Sequence, residues 1–384
     1  MSEPNWYGKP YYSLDAYCRE QFGRKCYKVA LNAHMTCPNR DGTLGTRGCI
    51  FCSAGGSGEF AMDVGGCDSD RFKSDVKGGS SGWLAVNPEN FLPDQNALAD
   101  LDGQLRKGIQ LIEGKLRIRP NTDKLGNQPD TDKPGSPLNA ENLMGHYDKN
   151  SEKSEPPGII AYFQAYTNTY APAAYLEQIF SQVLSHPLVC GISIATRPDC
   201  LPHEVLSLLA TLRQRYLNKF IWVELGLQTI HGHTADFIRR GYDLTCFERS
   251  VASLQALSIP VIVHVILGLP GEGRSQMLET ISYLNRLGIF GVKLQLLHVL
   301  EGTDLAELYS KGALTVLDKK EYLDILVDCL EHLSPKIVVH RVTGDGPKRI
   351  LIAPTWSGNK RDVLNSLHRL MRERGARQGR LCDL

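Results

Sequence analysis

The sequence predicts an α/β fold, a partial or full parallel (β/α) barrel carrying polar insertions. Three observations lead there. Between residues 158 and 343, short runs rich in Ile, Val and Leu alternate with longer stretches whose apolar residues recur at helical spacing. Most of the apolar runs end in a cluster of polar residues. Three cysteines, Cys37, Cys49 and Cys52, sit in the loop that follows the first such run.

The elements follow in order. Tyr27 to Leu31 reads as the first strand. Gly158 to Gln164, Val189 to Thr196, Ile221 to Leu227, Val261 to Leu267, Val292 to His298 and Ile337 to His340 read as the others. Runs this apolar are buried on both faces, as parallel strands are. Helices between them show a single apolar face: Val205, Leu208, Leu209, Leu212 and Tyr216 in one, Met277, Ile281, Leu284 and Leu287 in another. That gives about seven βα units, arranged either as a barrel or as an open doubly wound sheet. The strand-end clusters favour the barrel. They are Gln164-Ala-Tyr-Thr-Asn168, Thr196-Arg-Pro-Asp199, Glu224-Leu-Gly-Leu-Gln228, Gly268-Leu-Pro-Gly271 and His298. In a barrel all strand C-termini open on one face, so these groups converge. In an open sheet they converge only at the switch point.

Residues 66–157 break the rhythm. From Ile118 to Pro157 only seven of forty residues are apolar, too few to offset the entropy of ordering them. A less extreme polar stretch spans Cys67 to Asn96. Between the two, Leu98, Leu101, Leu105, Ile109, Ile112 and Leu116 keep helical spacing. The expected organisation is an N-terminal segment and first βα unit over 1–65, polar and disordered insertions over 66–157 around a core helix at about 97–117, the remaining barrel units over 158–345, and a C-terminal extension with a basic helix over 346–384.

Composition excludes several classes. A formal net charge of +1 on 384 residues gives no global attraction to nucleic acid or anionic lipid. From Lys360 to Arg380 seven Lys or Arg stand against two acids, which reads either as a solvated helix face or as a patch that meets RNA. Eleven cysteines, odd in number and mostly scattered, argue for a reducing compartment. No N-terminal signal is evident, and the longest apolar stretch, Pro260 to Pro270, is interrupted by His264 and too short to span a bilayer. A cytoplasmic protein with no membrane partner is expected.

Eleven residues separate Cys37 from Cys49 and two separate Cys49 from Cys52. A cubane iron–sulfur cluster normally takes four cysteines, so three leave one iron with an open position. The rival reading is structural zinc, with His34 completing a tetrahedral set. Reduced cysteines with no metal are a third reading. Zinc modules are usually compact units of their own, whereas this triplet occupies a βα loop flanked by Phe51 and by Gly55, Gly56 and Gly58.

A triplet ending Cys-x-aromatic-Cys in the first loop of a parallel βα barrel resembles the radical S-adenosylmethionine (SAM) superfamily. The first gap is wider than the usual C-x3-C. A wide gap also marks the catalytic subunit of Elongator and its bacterial relatives. The chain is similar to one bacterial branch of that group in Cys37-Pro-Asn-Arg-Asp-Gly42, Phe163-Gln-Ala-Tyr-Thr-Asn-Thr-Tyr-Ala-Pro172, Thr196-Arg-Pro-Asp199, Glu224-Leu-Gly-Leu-Gln228, Gly268-Leu-Pro-Gly-Glu272 and His340-Arg-Val-Thr-Gly-Asp-Gly-Pro347. The resemblance covers residues 5 to about 65 and 158 to about 370.

It implies a [4Fe–4S] cluster on Cys37, Cys49 and Cys52, SAM chelated at the open iron, and a 5′-deoxyadenosyl radical that takes hydrogen from a substrate. It also implies a low-potential electron donor of flavodoxin or ferredoxin type, and it points to transfer RNA, at the carbon-5 side chain of the wobble uridine. A small-metabolite or protein substrate is the alternative, and a zinc-stabilised nucleic-acid-binding protein is the non-catalytic one. Phe51 is expected to pack on adenine. Glu224 is expected to accept from the ribose or the SAM ammonium, and Arg197 to pair with a carboxylate or phosphate. Gln164, Asn168 and Gln228 are expected to hydrogen-bond in the mouth. The corresponding structural roles are a core aromatic, a buried ion pair for Glu224, a salt bridge to Asp199, and loop ordering. The glycines of Gly268 to Gly273 are expected to let SAM approach closely. His264 reads as a core histidine, and His298 and His340 receive no role.

Limited proteolysis should cut rapidly within 118–157 while both fragments stay associated, since loop closure depends weakly on loop length. Protection of that segment would make it an ordered cap instead.

Overall fold

A computed structural model of the chain describes residues 6–56, 84, 86, 97–117, 157–344 and 346–382. The stretches expected to be disordered lie outside the described residues, apart from Leu84, Val86 and Pro157. Seven strands form one sheet in sequential order: β1 (Cys26–Leu31), β2 (Gly158–Phe163), β3 (Val189–Thr196), β4 (Phe220–Gln228), β5 (Val261–Leu267), β6 (Gly291–Leu296) and β8 (Val338–Arg341). Each neighbouring pair is parallel. β7 (Val299–Leu300) pairs antiparallel with β9 (Leu351–Ala353) outside this sheet. β1 and β8 end the order and do not pair with each other, so the chain builds a partial barrel.

The sheet is curled. Lys293 on β6 donates to the Tyr162 hydroxyl on β2 at 2.9 Å. Those strands are four spacings apart, about 19 Å in a flat sheet. Only a concave sheet brings them together.

Helices cover the convex face: α2 (Ala97–Arg117), α3 (Ala173–Ser185), α4 (His203–Arg215), α6 (Leu244–Ala256), α7 (Arg274–Asn285) and α9 (Lys319–His332), with the short α5 (Gly232–Phe237) and α8 (Asp304–Ser310) near the strand ends and α10 (Lys360–Glu373) last. Alternate strand residues, among them Val29, Leu31, Ile159, Ala161 and Phe163, pack outward into this core. The residues between them point inward. Ile160, Trp222 and Ile262 make an apolar layer closed by Cys18 of α1 (Leu14–Phe22). Tyr17 of α1 meets Trp222 and Phe290 edge-on, with ring centroids 6.0 and 4.9 Å apart. α1 thus plugs the N-terminal end of the half-barrel, and each large apolar side chain buried there contributes roughly 1.5–3 kcal/mol. The chain before α1 also covers the β8 edge, where the Val339 amide donates to the Tyr12 carbonyl at 2.7 Å. Among the described residues no helix is long and apolar enough to cross a membrane.

α2 seats Leu101, Leu105 and Ile109 against the sheet. Gly108 makes the close approach: a Cβ there would lie 2.3 Å from Val29 Cγ1. Gly103 on the same helix is exposed and faces open space. Gly103→Ala should therefore stabilise the protein by about 1 kcal/mol through helix propensity. Gly108→Ala should destabilise it by about 1–3 kcal/mol, because a stiff, buried valine must yield. Urea unfolding of the two variants checks this, and a stabilising Gly108→Ala would mean that α2 does not dock on β1 as described.

Candidate functional site at the mouth of the half-barrel

The three cysteines lie in the loop after β1, and that loop is tightly held. The Arg40 amide donates to the Cys37 carbonyl at 2.8 Å, the Gly48 amide to the Asn39 carbonyl at 2.7 Å and the Cys52 amide to the Cys49 carbonyl at 3.0 Å. The Arg40 guanidinium reaches across to the carbonyls of Cys52 and Ser53 at 2.8 and 2.6 Å. Gly48, at φ +73°, leaves room for it: a Cβ there would sit 2.9 Å from Arg40 Nε. Asn39 Nδ2 donates to the Arg239 carbonyl at 2.7 Å and reaches Cys49 Sγ at 3.4 Å. Ile50 anchors the third side, buried with Ile238, Ile266 and Leu297. The long gap between the first two cysteines is thus a folded loop whose ends are pinned together.

Cys37, Cys49 and Cys52 line one wall of a cavity of about 230 Å³ that opens at the strand C-termini. Burial, then the charges of Cys52 and Cys37, push the Cys49 thiol up to about 12. Cys200 is buried against Asp199, 3.6 Å from Oδ1, and does not line the cavity. The His34 ring is held elsewhere, Nε2 lying 2.7 Å from Asp100 on α2. No three His, Cys, Asp or Glu side chains among the described residues converge tightly enough to hold a single metal ion. A cubane asks for something wider, because each thiolate binds a different iron.

The structure brings Phe51, Gln164, Arg197, Glu224 and Gln228 to this same cavity. Phe51 is half-buried and backed by the cluster around Ile50. Arg197 forms a bidentate pair with Asp199, Nε to Oδ1 at 2.8 Å and Nη2 to Oδ2 at 2.6 Å, and donates to the Arg240 carbonyl at 3.0 Å. The salt-bridge role is therefore filled, and the residue also lines the cavity. Gln228 has φ +66° and a buried side-chain oxygen without a partner among the described residues. A strained residue with an orphaned acceptor at a cavity wall fits a ligand donor. Asn168 lies outside the lining. Its Nδ2 ties the Phe163 and Ala195 carbonyls together at 3.1 and 3.0 Å, so it orders the loop.

Glu224 sits deeper and is fully buried. Lys28 donates to Oε1 at 2.7 Å and the Ser193 hydroxyl donates to it at 2.5 Å. His264 Nε2 lies 2.7 Å from Oε2, which Lys293 also engages. Burial alone would raise this carboxyl, but Lys28 and Lys293 overcome it and hold it well below the usual carboxylate range. An ionised carboxylate only accepts, so His264 carries its proton on Nε2 and presents Nδ1 as an acceptor. Burial, then Lys293, pushes His264 down to about 4, so the ring is neutral near pH 7. With four donors on its two oxygens, Glu224 fills the buried ion-pair role, and it also lines the cavity.

His264, read as a satisfied core histidine, is hydrogen-bonded to Glu224 and also lines the cavity. No residue of Gly268 to Gly273 does, and the bare face of Gly268, at φ +84°, makes room for Leu317, whose Cδ1 would lie 2.8 Å from a Cβ. Sequence reasoning passed over Lys28, Lys293, Arg240, Tyr242 and Arg341. Arg240 fastens the loop after β4 by donating to the Leu227 and Thr229 carbonyls at 2.9 and 2.7 Å. A lysine interrupting each of two apolar strands, in Tyr27-Lys-Val and Val292-Lys-Leu, was the available signal.

The sequence also matches known proteins. Residues 289–373 match the Radical_SAM C-terminal domain family model. The chain is 37% identical over 372 residues to "Uncharacterized protein YtqA" of Bacillus subtilis strain 168, covering 97% of this chain and 92% of that protein. It is 24% identical over 200 residues to Elongator complex protein 3 of Bos taurus, covering 51% of this chain and 34% of that one. The solved structure of the Methanocaldococcus infernus Elp3 with an N-terminal deletion superposes with a TM-score of 0.49 at 16% identity, over 58% of this chain and 55% of that one.

Glu224→Leu strands buried cations and should cost about 3–5 kcal/mol of stability. Glu224→Gln keeps an acceptor and should cost less. The folded carboxyl lies below its unfolded value, so its contribution is fully present above about pH 4.3 and is lost as pH falls toward the folded value. The stability gap between the native protein and Glu224→Gln should therefore narrow in acid. A gap that widened would mean the carboxyl is protonated in the fold.

Proposed function

The chain belongs to the radical SAM superfamily, and on that premise we propose that it is an enzyme that holds a [4Fe–4S] cluster on Cys37, Cys49 and Cys52 and remodels the carbon-5 side chain of a wobble uridine in transfer RNA. The observation that carries the reading is the wall of three thiols, with no fourth among the described residues, on a cavity at the C-terminal mouth of a parallel half-barrel. Bound there, the cluster would supply the electron that splits the SAM sulfonium and so releases a radical able to abstract hydrogen.

The residues present fit that group. Three soft thiol ligands suit iron–sulfur chemistry, and Asn39 Nδ2 stands close enough to Cys49 Sγ to donate to a thiolate. Arg40 and Gly48 keep the ligand loop closed. Phe51 offers an apolar face for adenine. Gln228, with its orphaned oxygen, accepts from an adenine amine or a ribose hydroxyl. Gln164 and Arg197 complete the polar wall. The apolar plug of Trp222, Ile262 and α1 seals the far end against water.

Transfer RNA is the substrate class supported by the similarity to Elongator complex protein 3 and by the C-terminal helix. Arg374 and Arg380 pair with Asp324 and Glu331 of α9, whereas Arg361, Arg369 and Arg372 are exposed along α10. Those three are the phosphate contacts we assign.

Anaerobic reconstitution should give a brown protein whose broad visible band bleaches on reduction. Changing Cys37, Cys49 or Cys52 to Ala should remove most of the iron and all SAM cleavage, while Cys382→Ala should spare both. A colourless protein with stoichiometric zinc would defeat the reading. Nucleoside mass spectrometry of transfer RNA, with and without the gene, should show a change confined to carbon-5-modified uridines. Unchanged nucleosides would exclude the RNA substrate.

A further inference from the structure

The inward side chains of the half-barrel form layers. Above the apolar plug lies a polar one, and the cavity reaches down to it at Tyr162, Glu224, His264 and Lys293. Its charges do not balance. His264 and Lys293 are direct register partners on β5 and β6, and Lys293 and Arg341 on β6 and β8. Three cations, Lys28, Lys293 and Arg341, thus gather near one carboxylate among the described residues. That carboxylate already accepts from four donors. Lys293 is almost fully buried and gives two of its three ammonium protons to Glu224 and the Tyr162 hydroxyl, which leaves one. Arg341 lines the cavity and makes no ion pair among the described residues. Burial, then repulsion from Lys28 and Arg341, works against the Lys293 charge and outweighs Glu224, leaving Lys293 well below its ordinary value. Surplus positive charge at the bottom of a low-dielectric cavity is unfavourable until an anion meets it.

We propose that Lys293 and Arg341 form a binding site for a carboxylate of the substrate at the floor of this cavity. A planar guanidinium and a free ammonium proton side by side match the geometry of a carboxylate. Depth selects the source. Lys293 lies three residues before the end of β6, roughly 10 Å below the strand end at 3.3 Å per residue. A polynucleotide backbone cannot descend that far, but a carboxylate at the tip of a side chain can. SAM carries a carboxylate too, and the radical SAM reading places it at the open iron beside the cysteine wall. The floor site is additional to it. The substrate assignment rests on the radical SAM reading; the anion site rests on the side chains alone.

The test uses the full chain, with acetate as the probe, chloride at equal ionic strength as the reference and acetamide as the uncharged control. Acetate should raise the melting temperature of the native protein, and acetamide should not. Arg341→Gln should bind acetate at least about tenfold more weakly with SAM affinity unchanged. Because Arg341→Gln removes a repelled charge that has no ion pair among the described residues, it should fold. Lys293→Met provides a second loss of the acetate shift. No acetate shift in the native protein, or one that survives Arg341→Gln, overturns the site. SAM affinity that falls in step with acetate affinity also overturns it, since the floor would then hold the SAM carboxylate. Iron content, measured on the same samples, reports separately on the cluster, because acetate binding needs no metal.

Discussion

Lys28, Ser193, His264 and Lys293 come from β1, β3, β5 and β6, and all four converge on the carboxylate of Glu224 on β4. Hydrogen bonds in the sheet run only between adjacent strands. This carboxylate instead ties strands that are several places apart, and it does so inside the concavity, where screening by water and salt is weakest. An open seven-stranded sheet has no covalent or hydrogen-bonded reason to keep a fixed curl. The chords from Lys28 and Lys293 to Glu224 supply one. The positions of Gln164, Arg197, Gln228 and the cysteine loop at the mouth follow from that curvature.

The inside of the half-barrel also solves a problem of contrast. An interior filled with aliphatic side chains would be stable and inert. One open to water would let a reactive intermediate escape. Here the apolar layer around Trp222 closes the base, the polar layer around Glu224 forms the floor, and the thiols stand at the rim. Neutral His264 adds to the effect. It lends Glu224 a proton donor without adding a further charge to a layer already rich in lysine.

The fold was legible because parallel strands buried on both faces leave an unmistakable pattern. The runs at 189–196 and 261–267 coincide with β3 and β5, and the others fall within a few residues of their strands. The strand-end clusters decided for a barrel over an open sheet, but partial against full closure stayed open, since curvature depends on contacts such as Lys293 to Tyr162, 131 residues apart. The clustering of Cys37, Cys49 and Cys52 was visible in the sequence, and the structure brings all three to one cavity. The polar layer was not legible. Glu224 stood out as a charge after Ile-Trp-Val, but its partners are 31 to 196 residues away. Each lysine, read singly, looked like a flaw in a strand. The turn at Gly268 misled for the opposite reason. Gly268 is needed there, but for its φ of +84° and for the approach of Leu317.

The widened gap between Cys37 and Cys49 shows how local chemistry replaces sequence brevity. A short gap positions two thiolates by leaving the chain little freedom. Eleven intervening residues would lose that advantage, at an entropic cost that grows only slowly with length, unless the loop folded on itself. Asn39 and Arg40 make it do so. One carries its amide toward Cys49 and the Arg239 carbonyl, the other carries its guanidinium to the carbonyls of Cys52 and Ser53. The Cys-Pro-Asn-Arg sequence therefore does the work of proximity. It also couples the cysteine loop to the β4 side of the barrel, because the Asn39 amide and the Arg197 guanidinium both end on the backbone of Arg239 and Arg240. The thiol wall and the polar wall are consequently positioned by one short stretch of chain after α5. A cofactor spanning the two would meet groups whose separation that stretch has already set.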